Sequence, residues 1–146
     1  MAEAVGAIGL VASCLQILQT IEKINKFARQ NIHTNASAKR ELSPLLGKLT
    51  AYEGLIRGIK LQAELDEADQ VRLSVLDHVD GPLKACETAL RTIGKRLETL
   101  SGHVVFGKII DKKIVLALSA LEASKPVLEL SLDADQRSAA STYVPV

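Results

Sequence analysis

The stretch LSPLLGKLTAYEGLIRGIKLQA, residues 42–63, decides the fold. Its residues Leu42, Leu45, Leu49, Tyr52, Ile56, Ile59 and Ala63 follow one another in steps of three and four. An α-helix gathers such a series on one face, whereas a strand, with its period of two, scatters it over both. The spacing predicts a helix of about six turns. The same rhythm returns in Leu83, Cys86, Leu90, Ile93, Leu97 and Leu100, between a start signal in Asp80-Gly81-Pro82 and a stop signal in Gly102.

Between these two seams, Asp66 to Val79 carries acids in its first turn, where the helix dipole favours them, followed by Val71, Val75, Leu76 and Val79. A short helix is expected there, with a bend at Gly81-Pro82, because the residue before a proline avoids the helical region. A last helix is expected from about Lys108 to Asp135. Its stripe is Ile110, Ile114, Leu118, Leu121 and Leu128, thickened by Ile109, Leu116, Val127 and Leu130. Such width suggests a central helix touched on several sides, on which the seams of 42–63 and 83–100 converge, with Leu116 and Leu118 in its apolar middle. Pro126 falls inside the pattern and predicts a kink of the last third rather than an ending. The first helix, about Ala2 to Gln30, interleaves two stripes: Leu10, Cys14, Ile17, Ile21, Ile24 and Ala28 beside Ile8, Val11, Leu15 and Leu18. Asn31 to Ala36 reads as a turn, and Pro44 then falls early in the second helix, where a proline is cheapest. No strand-type alternation occurs, and no hairpin dipeptide such as Asn-Gly joins two strand-like runs. The fold class is all-α, a helical bundle of four long helices and one short one over residues 1–137, followed by a flexible tail or linker start at 138–146.

Composition limits what such a bundle does. With 18 Lys+Arg against 17 Asp+Glu among 146 residues, the net charge is +1, so no strong field draws a polyanion. Phe27, Phe106, Tyr52 and Tyr143 are the whole aromatic inventory, too few for a base-stacking platform, and no nucleic-acid partner is expected. The charge is nevertheless arranged in blocks. Residues 22–60 hold 8 basic and 3 acidic side chains, residues 61–80 hold 1 and 6, and residues 81–115 hold 7 and 3.

No phosphate-binding loop, zinc-protease helix, nucleophile elbow or calcium loop is present, so no enzyme activity and no cofactor are expected. His33, His78 and His103 are scattered over separate connectors or helix ends, which gives a metal no ligand set, and Asp133 and Asp135 read as a solvated helix end. Cys14 and Cys86 each fall on an apolar stripe and read as buried, reduced thiols. Glu3 stands where a secretory signal needs basic residues, so export is not expected.

One stretch is unusual. From Ala4 to Ile21 there is no charged residue, close to the roughly 20 residues that span a bilayer, although Ser13, Gln16, Gln19, Thr20, Gly6 and Gly9 dilute it. Ala2 with Gly6, and Gly9 with Ser13, are small residues four apart, a spacing that lets helices approach closely in lipid or within a soluble bundle.

Three segments carry a resemblance: the opening Met1-Ala2-Glu3-Ala4-Val5-Gly6 with its apolar run, the central Asp80-Gly81-Pro82-Leu83-x-x-Cys86-x-x-x-Leu90, and the closing Leu128-x-Leu130-x-Leu132-x-Ala134-Asp135-Gln136. Together they resemble the HeLo-like domains of fungi, the N-terminal helical domains of NLR-type receptors, ankyrin-repeat proteins and amyloid-regulated cell-death executioners. The resemblance implies a bundle similar to the four-helix domain of the necroptosis pseudokinase and a membrane-targeting, membrane-disrupting role in fungal programmed cell death. It implies further that the domain is inactive until an adjoining amyloid-motif or receptor region oligomerises it, cytoplasmic at rest and at the plasma membrane when active. No amyloid motif is recognisable within residues 1–146, and the chain is expected to be the N-terminal part of a longer protein.

Carried onto this sequence, the membrane-inserting helix falls on Ala2, Val5, Gly6, Ile8, Gly9, Leu10, Val11, Ser13, Leu15 and Leu18. Lys23, Lys26, Arg29, Lys39 and Arg40 stand as contacts to anionic phospholipid, and self-association is the implied trigger. On this view a charge at Gly9, as in Gly9→Glu, abolishes permeabilisation while leaving the helical content intact. The competing expectation is a helical recruitment or oligomerisation adaptor without membrane activity.

Overall fold

The computed structural model describes the backbone of residues 2–32, 36–100 and 112–142, and the side chains of residues 9–30, 39–98 and 112–132. Five α-helices follow in order: α1 (Ala2–Ile32), α2 (Ala36–Leu65), α3 (Glu67–Leu73), α4 (Pro82–Leu100) and α5 (Lys112–Thr142). A single 3₁₀ turn (Ser74–Asp77) extends α3, and no strand occurs among the described residues. The chain is an all-α helical bundle, as its periodicity requires.

The seams are where the spacing put them. Leu42, Leu45, Leu49, Tyr52, Ile56, Ile59 and Ala63 of α2 are all buried, as are Leu83, Cys86, Leu90, Ile93 and Leu97 of α4. Their common partner differs from the expectation. The helix in the middle is α1, which packs against α2, α4, α3 and the 3₁₀ turn, whereas α5 lies mainly on α4 and touches α2 only lightly. The wide apolar stripe of α5 is therefore not enclosed. Ile114, Ala117, Leu121 and Leu128 are buried and Leu118 is half-buried, but Leu116 is 61% exposed, Val127 48% and Leu130 61%. Ile109 and Ile110 lie outside the described residues. A helix lying on one neighbour can bury only a narrow stripe, so apolar breadth alone did not make α5 central.

Polar contacts fasten α5 to α2 and α3. Tyr52 and Ser124 share a buried hydroxyl–hydroxyl hydrogen bond of 3.4 Å, and Lys48 pairs with Glu122 at 2.6 Å. The Lys48 ammonium, by hydrogen bond and by charge, holds the exposed Glu122 carboxyl below its ordinary range. Arg72 donates to the Ser131 carbonyl at 3.0 Å. Gly58 makes room for Leu132, whose nearest methyl would lie 3.1 Å from an added Cβ.

The local signals explain the boundaries. Asp66 caps α3 by accepting from the Ala68 amide at 2.8 Å, which satisfies one of the free donors of the first turn. Leu73 and Leu76 then face the core, while Val71, Val75 and Val79 are exposed. Gly81 is required at the bend, because a Cβ there would meet the Leu76 carbonyl oxygen at 2.5 Å. Its amide closes the turn by donating to His78 at 2.7 Å before Pro82 opens α4.

Other boundaries move. The first helix extends through Asn31 to Ile32, and α2 begins at Ala36, which leaves Pro44 well inside it rather than in its first turn. Pro44 is exposed, so solvent can serve the carbonyl its ring leaves without a donor. Helix α5 passes through Pro126 and runs to Thr142, so the expected tail is helical as far as that residue. Gly102, the expected stop signal, and His33 and His103 lie outside the described residues.

The packing sets two stability contrasts. Ile21→Ala, in the fully buried seam of α1, should cost about 2–5 kcal/mol in chemical denaturation, the range for emptying a close-packed site. Leu116→Ala should cost less than about 1 kcal/mol, as surface changes do.

Candidate functional site

The candidate residues lie on α1, so its two sides decide what it can do. One side is the axis of the core: Leu10, Cys14, Ile17, Ile21, Ile24 and Ala28 are buried, with Ser13 beside them. The neighbouring stripe surfaces. Val11 and Leu18 are half-buried against the core, and Leu15 is 46% exposed. Of the residues assigned to insertion, Leu10 and Ser13 are thus inside the resting bundle and Leu15 outside it. Ala2, Val5, Gly6 and Ile8 belong to the helical backbone, and their side chains lie outside the described residues.

Gly9 has a specific neighbour. A Cβ at Gly9 would stand 3.2 Å from Asp77 Oδ2, on the 3₁₀ turn, so the small residue lets the turn's carboxylate come against α1. Asp77 Oδ1 is buried and has no hydrogen bond; the Lys84 ammonium at 3.5 Å supplies charge without bonding geometry. A glutamate at Gly9 would push a second carboxylate against this one. Gly9→Glu would thus act on the resting bundle as well as on an inserting face.

All five basic residues assigned to lipid are exposed, and the structure separates them. Lys23 and Lys26 line a cleft of about 570 Å³ between α1 and α4, together with Arg91 and Lys95. Ile24, Phe27 and Leu97 give it apolar walls, Gly94 is among its lining residues, and its one acid is Glu98. Arg91 also pairs with the nearly buried Glu87 at 2.7 Å, so part of its charge is engaged. Lys26 is shared with a second cleft, between α1 and α2, where Arg29 lies among Glu22, Glu53 and Arg57 and where the buried Asn25 Oδ1 lacks a hydrogen bond. Lys39 and Arg40, in the first turns of α2, line neither cleft.

Arg91 and Lys95 were not singled out from the sequence. Their signal was present in the basic block 81–115 and in their spacing of four, which puts both on one side of α4. What the sequence lacked was the neighbour: only the packing of α4 on α1 shows that Lys23 and Lys26 face them. The arrangement can draw an anion to an apolar-walled groove. Among the described residues no group of three or more His, Cys, Asp or Glu could hold a metal ion, and no helix is long and apolar enough to cross a membrane.

The thiols are sealed in. Burial pushes both Cys14 and Cys86 up to about 12, with the Asp77 carboxylate adding to the effect at Cys14. No family model, curated protein or solved structure matches the chain in a systematic comparison.

Two measurements check these thiols. Neither should label in the native state near neutral pH, since the thiolate is the reactive form and both are buried. Stability should also fall as pH rises above the ordinary thiol value of 9.0, because the unfolded chain then releases protons that the folded chain holds until about 12. Prompt native-state labelling, or stability flat above pH 9.0, would place the thiols outside the core.

Proposed function

We propose that this bundle is a membrane-disrupting effector domain, closed at rest and driven onto an anionic membrane surface when an adjoining region clusters it, as its resemblance to HeLo-like cell-death domains suggests. The observation that supports it most is the double character of α1: a helix uncharged from Ala4 to Ile21 that is the axis of the core and still shows Leu15 to solvent. An ordinary bundle helix spends its outer side on charge. Here the outer side from Gly9 to Ile21 carries no charge, its exposed residues being Ala12, Leu15, Gln16 and Gln19, and the basic cleft of Lys23, Lys26, Arg91 and Lys95 opens between α4 and the C-terminal half of α1. Each Lys or Arg near an anionic leaflet adds roughly 1 kcal/mol of attraction.

The central place of α1 sets the mechanism. Pulling Leu10 to Ala28 out of the core strips α2 of its main partner and uncovers the face of α4 turned away from α5, so α1 cannot depart without opening the core. Membrane action is coupled to opening of the whole bundle, and the apolar seams of α2 and α4 enter the lipid boundary with it. Because lipid solvates apolar side chains about as well as a protein interior does, most of what opening costs in water is recovered there. With no spanning helix among the described residues, the inserted state is interfacial: amphipathic surfaces buried in the headgroup and upper acyl region.

The competing recruitment module draws on one observation, the exposed apolar side of α5. Dye release from anionic vesicles on which the domain is clustered through a terminal tag separates the two. Leu15→Glu, on the exposed stripe, should keep the helical content and reduce release at least about tenfold. Ile59→Ala, which weakens the α2 seam, should speed release by easing opening. If both variants and the parent release dye alike, or none of them releases any, the membrane mechanism fails and recruitment stands.

A further inference from the structure

Helix α5 carries two apolar seams and the bundle covers one. The covered seam is Ile114, Ala117, Leu121 and Leu128, with Ser124 at the same period. The second is Leu116, Ala120, Ala123, Val127 and Leu130, in steps of four, three, four and three, and each of the five is exposed. Over about 21 Å of helix this is the a/d pattern that a facing helix fills, knob into hole.

We propose that a second copy of this chain covers it, α5 against α5, antiparallel about a twofold axis at Ala123. Three features select this occupant. The pattern is nearly its own reverse: Leu116 and Leu130 stand at equal distances from Ala123, with Ala120 and Val127 between, so an antiparallel copy sets leucine beside leucine and the small alanines at the crossing. An interface of this kind is isologous, and one self-complementary patch closes it.

Charge agrees with the direction. The helix opens with Lys112 and Lys113, whereas its far end in the sequence has Asp133 and Asp135 against the single Arg137. Antiparallel pairing brings basic ends to acidic ends and opposes the helix dipoles, while parallel pairing sets like on like.

The third feature is a receiving hole. A cleft of about 550 Å³ between α4 and α5 lies beside the Leu116 end of the seam, lined by Ala85, Ala89, Ala117 and Ala120, with Val79 and Lys113 among its other lining residues. Small side chains hold it open. In the antiparallel pair Leu130 of the second copy reaches this end, and by symmetry both clefts are filled. The pairing stands on α5 and its cleft alone, so it is independent of whether the domain acts on membranes.

The full chain is tested by sedimentation velocity over rising concentration and by oxidative cross-linking. A reversible dimer is expected. Leu130→Glu should raise its dissociation constant at least about tenfold, the loss of one good anchor, with the far-ultraviolet circular dichroism unchanged. Ala123→Cys should form a disulfide-linked dimer, whereas Thr50→Cys, exposed on α2, should not; Cys14 and Cys86 are buried and do not compete. A single-chain mass at every concentration overturns the proposal. So does a dimer indifferent to Leu130→Glu, or one that Thr50→Cys links as readily as Ala123→Cys.

Discussion

Six side chains of α1, Leu10, Cys14, Ile17, Ile21, Ile24 and Ala28, hold the bundle together, because α1 joins α2 to the α4–α5 pair, and α2 touches α5 only lightly. The other placements follow from that. With α1 occupied on two sides, α3 and its 3₁₀ turn close a third by inserting Leu73 and Leu76. Helix α5 is left to lie on α4, tied to α2 by Tyr52–Ser124, by Lys48–Glu122 and by Leu132 against Gly58. Close packing of this kind is unforgiving of cavities, so the axis is also the point at which the structure is most easily broken.

That geometry changes what activation means. A helix docked on the rim of a bundle can swing out at little cost. A helix at its axis leaves only when the fold opens, so for the membrane action proposed above the barrier would be much of the folding free energy of the domain, about 5–15 kcal/mol for domains in general. Clustering at an anionic surface, where lysines of the α1–α4 cleft and apolar seams act together, is the kind of multivalent gain that can offset it. On the proposed membrane function, such a domain would be quiet as a single copy and switch steeply once assembled.

Periodicity made the helices legible because burial acts on each seam residue separately: every apolar position of 42–63 quoted at the outset is inside, and the bend at Gly81-Pro82 stands on a contact only glycine permits. What one sequence cannot carry is the partner of each seam. Leu116, Val127 and Leu130 have the spacing of core residues, and a seam built to meet another helix has the same signature whether that helix belongs to the same fold or not. The basic cleft was half legible for a related reason: Lys23 and Lys26 were visible on α1, but the Arg91–Lys95 side of α4 joins them only through the crossing of the two helices. Gly9, read as a small residue for close approach in lipid or within a bundle, makes space for the Asp77 carboxylate, a neighbour nearly seventy positions away in the chain.

Native-state hydrogen exchange tests the central place of α1 most directly. Sub-global openings appear as groups of amides with protection below that of the whole fold. As the axis of the core, the amides of residues 10–28 should exchange only by complete opening, with the same free energy as those of 83–97 in α4 and the same dependence on denaturant. If residues 10–28 exchange at clearly lower free energy while α2 and α4 keep full protection, α1 is a detachable rim helix and the core is organised around something else.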